Sequence, residues 1–214
     1  LRARLYLVTP RRVDLATFPR DLADALSGGD VASVLIAPEV TAEAHLQRIA
    51  EALVPVVQGA GAAALVRDDT RAMGRSKADG LHVTGGVAAV AEAVERSAGR
   101  SIVGAGEIKT RHAAMEVAEA GADYVFFGLL DLPEADDAHP RTLDLGAWWA
   151  DLFEPPCVLL AGRTMLSVED CARTGADFVA LRDGVWDHPD GPAAAVREAN
   201  AVLDRIAAEA GGAA

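Results

Sequence analysis

Short apolar runs recur along the chain, separated by stretches in which apolar residues return every three or four positions. Eight runs stand out: LYLVT (5–9), ASVLIA (32–37), AALVR (63–67), DGLHVT (79–84), RSIVGA (100–105), DYVFFG (123–128), CVLLAG (157–162) and DFVALR (177–182). Their length and near-continuous hydrophobicity suit strands covered on both faces, as in a parallel sheet. The intervening residues 42–53, 110–120 and 167–174 carry helical periodicity. The last of these opens with Ser167, Glu169 and Asp170, a helix start with acids in its first turn. Strand and helix alternating eight times predict a closed parallel (β/α)8 barrel of the TIM type, in a single domain over residues 1–214. An open doubly wound sheet is the runner-up, but it seldom uses eight strands in so few residues.

A phrase repeats within this pattern. ADGLHV, GADYVFF and GADFVAL each end a helical stretch on a small residue, place an Asp, and start a strand, at Asp79, Asp123 and Asp177. Each interval is long enough for two strand–helix units. The segment PVVQGAGAAALV leaves open whether helix runs up to the strand at residue 63 or a turn intervenes near Gly59 and Gly61. The Ala-rich tail from Asp204 is expected to continue the last helix and fray at Gly211 and Gly212.

With 214 residues, 51% of them hydrophobic, the chain can bury one substantial core. The balance of 20 basic against 32 acidic side chains, a net charge of -12, opposes binding to nucleic acid or to an anionic membrane surface. No apolar run reaches membrane-spanning length. The first ten residues, LRARLYLVTP, lack the apolar region and cleavage site of a secretory signal. Two cysteines, Cys157 and Cys171, make no disulfide framework and fit a core in a reducing compartment, so a cytoplasmic location is expected. A small phosphorylated ligand is the expected partner, and a homo-oligomer is left open.

In such a barrel the chemistry belongs at the carboxyl ends of the strands. That rule selects Arg11 and Arg12 after the first strand, Glu39 after the second, and Arg67, Asp68 and Asp69 after the third. It selects Thr84, Gly85 and Gly86 after the fourth, and Glu107 and Lys109 after the fifth. Gly162, Arg163 and Thr164 follow the seventh strand, and Arg182, Asp183 and Trp186 the eighth. The sixth strand ends at Gly128 and runs into LLDLPEADD, with four carboxylates at Asp131, Glu134, Asp136 and Asp137. Arg163 and Arg182 stand at the usual phosphate end of the barrel, where backbone amides at a helix start assist an anion. His82 reads as a core histidine, and Lys109 with Glu107 as a solvated ion pair.

LYLVT, VRDD, ADGLHV, GADYVFFG, the strand ending Ala161-Gly162, and GADFVAL together resemble the thiamine phosphate synthases and their sister group, the thiazole tautomerases. The correspondence covers nearly the whole chain in order. It is specific for the barrel and much less so for the activity. In that family the synthase couples hydroxymethylpyrimidine diphosphate to thiazole phosphate, and cations with Mg2+ stabilise the departing pyrophosphate. The resemblance implies Asp68 as a Mg2+ ligand and Gly162 as part of the phosphate turn. Arg163, Thr164, Arg182 and Arg67 are expected to bind phosphate from their places at the strand ends, although the family has a hydrophobic-Ser pair at Arg182 and Asn at Arg67.

Departures from the family pattern are equally specific. The diphosphate clamp Gln-x-Arg-x-Lys is matched by Leu35, Ala37 and Glu39, and the second Mg2+ carboxylate by Val87. The phosphate-contacting Ser is matched by Gly106 or a neighbour. The family's Thr- and Lys-bearing loop after the sixth strand is replaced by the acidic stretch, which would repel phosphate. The expectation is therefore a divergent thiamine phosphate synthase-like protein without ordinary synthase activity. The alternative is a non-catalytic protein that binds a phosphate ligand or a partner on the same barrel.

Overall fold

The computed structural model describes residues 2–39 and 42–212. The strands are β1 (Arg4–Val8), β2 (Val31–Ile36), β3 (Ala63–Arg67), β4 (Gly80–Val83), β5 (Ile102–Ala105), β6 (Tyr124–Phe127), β7 (Cys157–Leu160) and β8 (Phe178–Leu181). All pair in parallel with their sequence neighbours, and β1 closes on β8 with Arg4 opposite Phe178, giving an eight-stranded closed barrel. Every predicted strand is present, within two residues of its expected ends. The helices are α1 (Phe18–Ser27), α2 (Glu43–Gly59), α3 (Thr70–Ser76), α4 (Gly86–Ser97), α5 (Arg111–Glu119), α6 (Pro140–Leu152), α7 (Met165–Arg173), the short α8 (Asp183–Trp186) and α9 (Pro192–Gly212).

Alternation along each strand divides the core in two. Leu5, Leu7, Val34, Ile36, Val66, Val125, Phe127, Leu159 and Leu181 point outward and pack under the helices. Tyr6, Val8, Leu35, Ala37, Leu65, Tyr124, Phe126, Val158, Leu160 and Ala180 point inward and fill the barrel. The outward layer is anchored by Trp149, which is fully buried. It stacks on Phe153 at 4.2 Å between ring centres and donates its indole N–H to the Pro155 carbonyl at 2.7 Å.

The repeated Asp closes the barrel's amino-terminal end. Asp79 accepts the Ala64 amide at 2.7 Å, Asp123 the Val103 amide at 2.7 Å, and Asp177 the Cys157 amide at 2.9 Å. Each carboxylate immediately precedes an even-numbered strand and reaches back to the odd strand before it. Asp30, just before β2, does the same to β1 by pairing with the Arg4 guanidinium at 2.7 and 2.9 Å. Four strand pairs are thus fastened at the base by aspartates, three through a backbone amide and the fourth, Asp30, through the exposed Arg4 side chain.

Several helix ends differ from the sequence expectation. The helix expected from residue 167 begins at Met165, because Thr164 rather than Ser167 supplies the capping oxygen, accepting from the Ser167 amide. Helix α2 continues through Pro55 to Gly59, and the turn follows at Gly61, whose φ of +80° suits glycine. The last helix runs on through Gly211 and Gly212 instead of fraying there. Among the described residues no helix is long and apolar enough to cross a membrane.

Candidate functional site

Two residues beyond the inward-facing Leu65 and Ala180 stand Arg67 and Arg182, so both point into the carboxyl-end mouth of the barrel. Gly162 occupies the matching position after Leu160. The loop leaving β6 crosses this mouth, and its contacts account for both arginines. Arg67 forms a bidentate pair with Asp131 at 2.7 and 2.8 Å. Arg182 donates its Nε to Glu134 at 2.6 Å and its Nη1 to the Leu130 carbonyl at 2.9 Å. The side chains of Arg182 and Glu134 are only 1% and 4% exposed. Between the two pairs, Leu130 joins the inward cluster and plugs the barrel from above.

More of the rim holds the same loop. Arg11 donates to the carbonyls of Leu132 and Asp131 and pairs with Glu39 at 2.5 Å. The amides of Arg163 and Thr164, expected to meet an anion, donate to the carbonyls of Ala135 and Asp136 at 3.0 and 3.1 Å. A side chain at position 162 would collide with the backbone of residues 135–137, so this close crossing requires glycine. The guanidinium of Arg163 faces Asp183 at 3.4 Å and Asp187 at 3.7 Å. Of the six expected site residues, Arg67, Arg182, Gly162, Arg163 and Thr164 therefore gather under one loop, which accepts from the Arg67 and Arg182 side chains and from the Arg163 and Thr164 amides.

Asp68 has a left-handed backbone, φ +53°, and stands at the rim beside them. Its carboxylate accepts the Thr84 amide at 2.7 Å and hydroxyl at 2.5 Å and lies 3.4 Å from Arg67 Nε. Val87, where the resemblance places a second metal carboxylate, is exposed on α4. Among the described residues no group of three or more His, Cys, Asp and Glu side chains is placed to hold a metal ion. With its oxygens committed to Thr84 and Arg67, Asp68 does not fit a ready-made Mg2+ site.

The electrostatics follow from these contacts. The hydrogen bond from Arg67 holds the Asp131 carboxyl below the usual carboxylate range, and Asp131 raises Arg67 in return. Burial pushes Glu134 up, against the pull of Arg182. Glu107, also in the field of Arg67, keeps one buried carboxylate oxygen without a partner. It has a φ of +56° and lies 3.9 Å from Lys109.

Beneath the plug runs a chain of polar rings. His82 Nδ1 lies 2.8 Å from the Tyr124 hydroxyl, which lies 2.9 Å from that of Tyr6. His82 is fully buried, as a core histidine should be, but its Nε2 faces Gly106 with no hydrogen-bond partner. Burial, aided by Arg67, lowers its pKa to about 3, so the ring is neutral. Sequence reasoning did not find this chain. Its signal was a polar ring residue at an inward position on each of three strands.

The thiamine monophosphate synthase profile matches residues 5–185. The chain belongs to the thiamine monophosphate synthase family. It is 38% identical over 202 residues to a thiamine-phosphate synthase of Rhodospirillum centenum, covering 94% of this chain and 97% of that one. A thiamine-phosphate synthase of Hyphomonas neptunium is 35% identical over 213 residues, covering 96% of each. Among solved structures, thiamine phosphate pyrophosphorylase from Pyrococcus furiosus superposes with a TM-score of 0.78 at 21% identity, over 95% of this chain and 96% of that one. The family's place is thiamine biosynthesis, and the barrel is the family's barrel.

Proposed function

We propose that the chain is a divergent member of its family that binds a phosphorylated ligand at the barrel mouth and does not couple the two family substrates at an ordinary enzyme rate. The supporting observation is the charge balance at the rim. Arg67 and Arg182 are the inward-facing cations, and each already carries a carboxylate from the β6–α6 loop. Leu35 and Ala37, at two of the clamp positions, are buried apolar residues, and Glu39 at the third is paired with Arg11. A departing pyrophosphate needs cationic charge that strengthens as the bond breaks, and guanidiniums already neutralised supply less of it. In this reading Arg67, Arg182 and the turn Gly162–Arg163–Thr164 grip phosphate. Asp68 would meet Mg2+ only by releasing Thr84 and Arg67, and no step is assigned to the metal.

The test is incubation of the purified chain with hydroxymethylpyrimidine diphosphate, thiazole phosphate and Mg2+. The expected result is no thiamine phosphate above a trace. Turnover at an ordinary enzyme rate refutes the reading. Thermal shifts with phosphate, pyrophosphate, thiazole phosphate and thiamine phosphate complete it. Stabilisation that disappears in Arg67→Ala and Arg182→Ala supports a phosphate ligand. Absence of any shift favours the second reading, a partner-binding protein with its mouth closed by the loop.

A further inference from the structure

The geometry points to a displaceable strap. Residues 129–137 close the mouth by placing the carboxylates of Asp131 and Glu134 on the guanidiniums that an anionic ligand would use. This inference rests on the proposed phosphate site and adds to it an internal competitor.

Three features argue for competition rather than for a fixed wall. The strap leaves β6 but is held by arginines following or ending β1, β3 and β8, so it spans the opening instead of lining one side. Its fastenings are those of a bound anion: a bidentate guanidinium–carboxylate pair, a buried guanidinium–carboxylate pair, and two amides at the start of α7 donating to oxygen. Arg182 is 1% exposed, yet its Nη2 has no partner, so the strap satisfies this guanidinium incompletely. A diphosphate carries more oxygens than one carboxylate and could meet all of its donors.

The outer fastening is the weaker one. Asp131 is 62% exposed and Arg67 20%, whereas Glu134 and Arg182 lie out of water. Opening therefore begins at Asp131, lifts Leu130 out of the barrel, and then frees Arg182.

The experiment compares the whole chain with its Asp131→Asn variant, an exposed substitution that leaves the fold intact. Hydrogen exchange is followed in residues 129–137, and pyrophosphate binding is measured by calorimetry. Asp131→Asn is expected to speed exchange in the strap severalfold and to tighten pyrophosphate binding severalfold. Saturating pyrophosphate is expected to speed strap exchange in the unmodified chain as well. Equal pyrophosphate affinity in the two proteins, with strap exchange unchanged, overturns the strap while leaving the phosphate site standing. No pyrophosphate binding to either protein overturns both.

Discussion

Asp131 and Arg67 face each other across the barrel mouth as a bidentate pair, with both guanidinium–carboxylate contacts within 2.8 Å, although 64 residues separate them along the chain. The acidic stretch that reads as hostile to phosphate is therefore matched in part. Asp131 and Glu134, two of its four carboxylates, answer arginines placed at strand ends elsewhere in the sequence.

The pair makes a pH-dependent contribution of known sign. Asp131 is held below the ordinary carboxylate range, so its contribution is present at neutral pH and is lost as pH falls through its lowered pKa. Because Asp131 is largely exposed, Asp131→Asn should destabilise the neutral protein by no more than about 1 kcal/mol. That difference should vanish in acid below the ordinary Asp range. Urea unfolding of both proteins at the two pH values checks it, and a difference that grows in acid contradicts it.

The buried pair behaves differently. Removing Glu134 takes the 2.6 Å partner from the enclosed Arg182 and leaves only Asp183, 3.8 Å from its Nε, so Glu134→Ala should destabilise by up to about 3–5 kcal/mol. Replacing both partners with apolar residues, as in Glu134→Leu with Arg182→Met, should lose clearly less. Denaturant midpoints of the single and double variants decide between a structural pair and two independent side chains.

His82 gives a second pH signature. Its pKa of about 3 lies below the ordinary imidazole value, so an unfolded chain takes up a proton that the folded one refuses. Stability contributed by the neutral ring should decline as pH falls from about 6.5 toward 3. The NMR signals of His82 should show no titration between about pH 5 and 8. A His82 resonance that moves in that range would contradict the buried, neutral assignment.

At the base of the barrel, Asp123→Ala deprives the Val103 amide of its acceptor. The expected loss is about 1–3 kcal/mol. Asp123→Asn, which keeps an oxygen in place, should lose less. Equal losses in chemical denaturation would mean that the carboxylate acts through its charge alone.

The barrel was legible because its signal is local: each strand is a short apolar run, and each helix repeats its apolar face. The rim was legible in part, since counting outward from a strand end selects Arg67, Asp68, Gly162, Arg163, Thr164 and Arg182. What could not be read was pairing. Nothing in the segment LLDLPEADD says that Asp131 meets Arg67 and Glu134 meets Arg182, because both contacts join distant loops and depend on where the strap crosses. Arg182 is expected from its position to grip an anion, and nothing in its own segment marks Glu134 as the carboxylate that it meets. The fourth basal aspartate, Asp30, escaped the repeat because it follows Ser27-Gly28-Gly29, where the other three each follow an alanine.

The four basal aspartates carry a consequence for how the chain assembles. They close contours spanning 26, 15, 20 and 20 residues, each tying one odd strand to its even successor. Encounters that near in the chain form early and lose little chain entropy. Nascent polypeptide can accordingly secure successive quarters as they emerge, with the β1–β8 seam left as the final, most distant encounter.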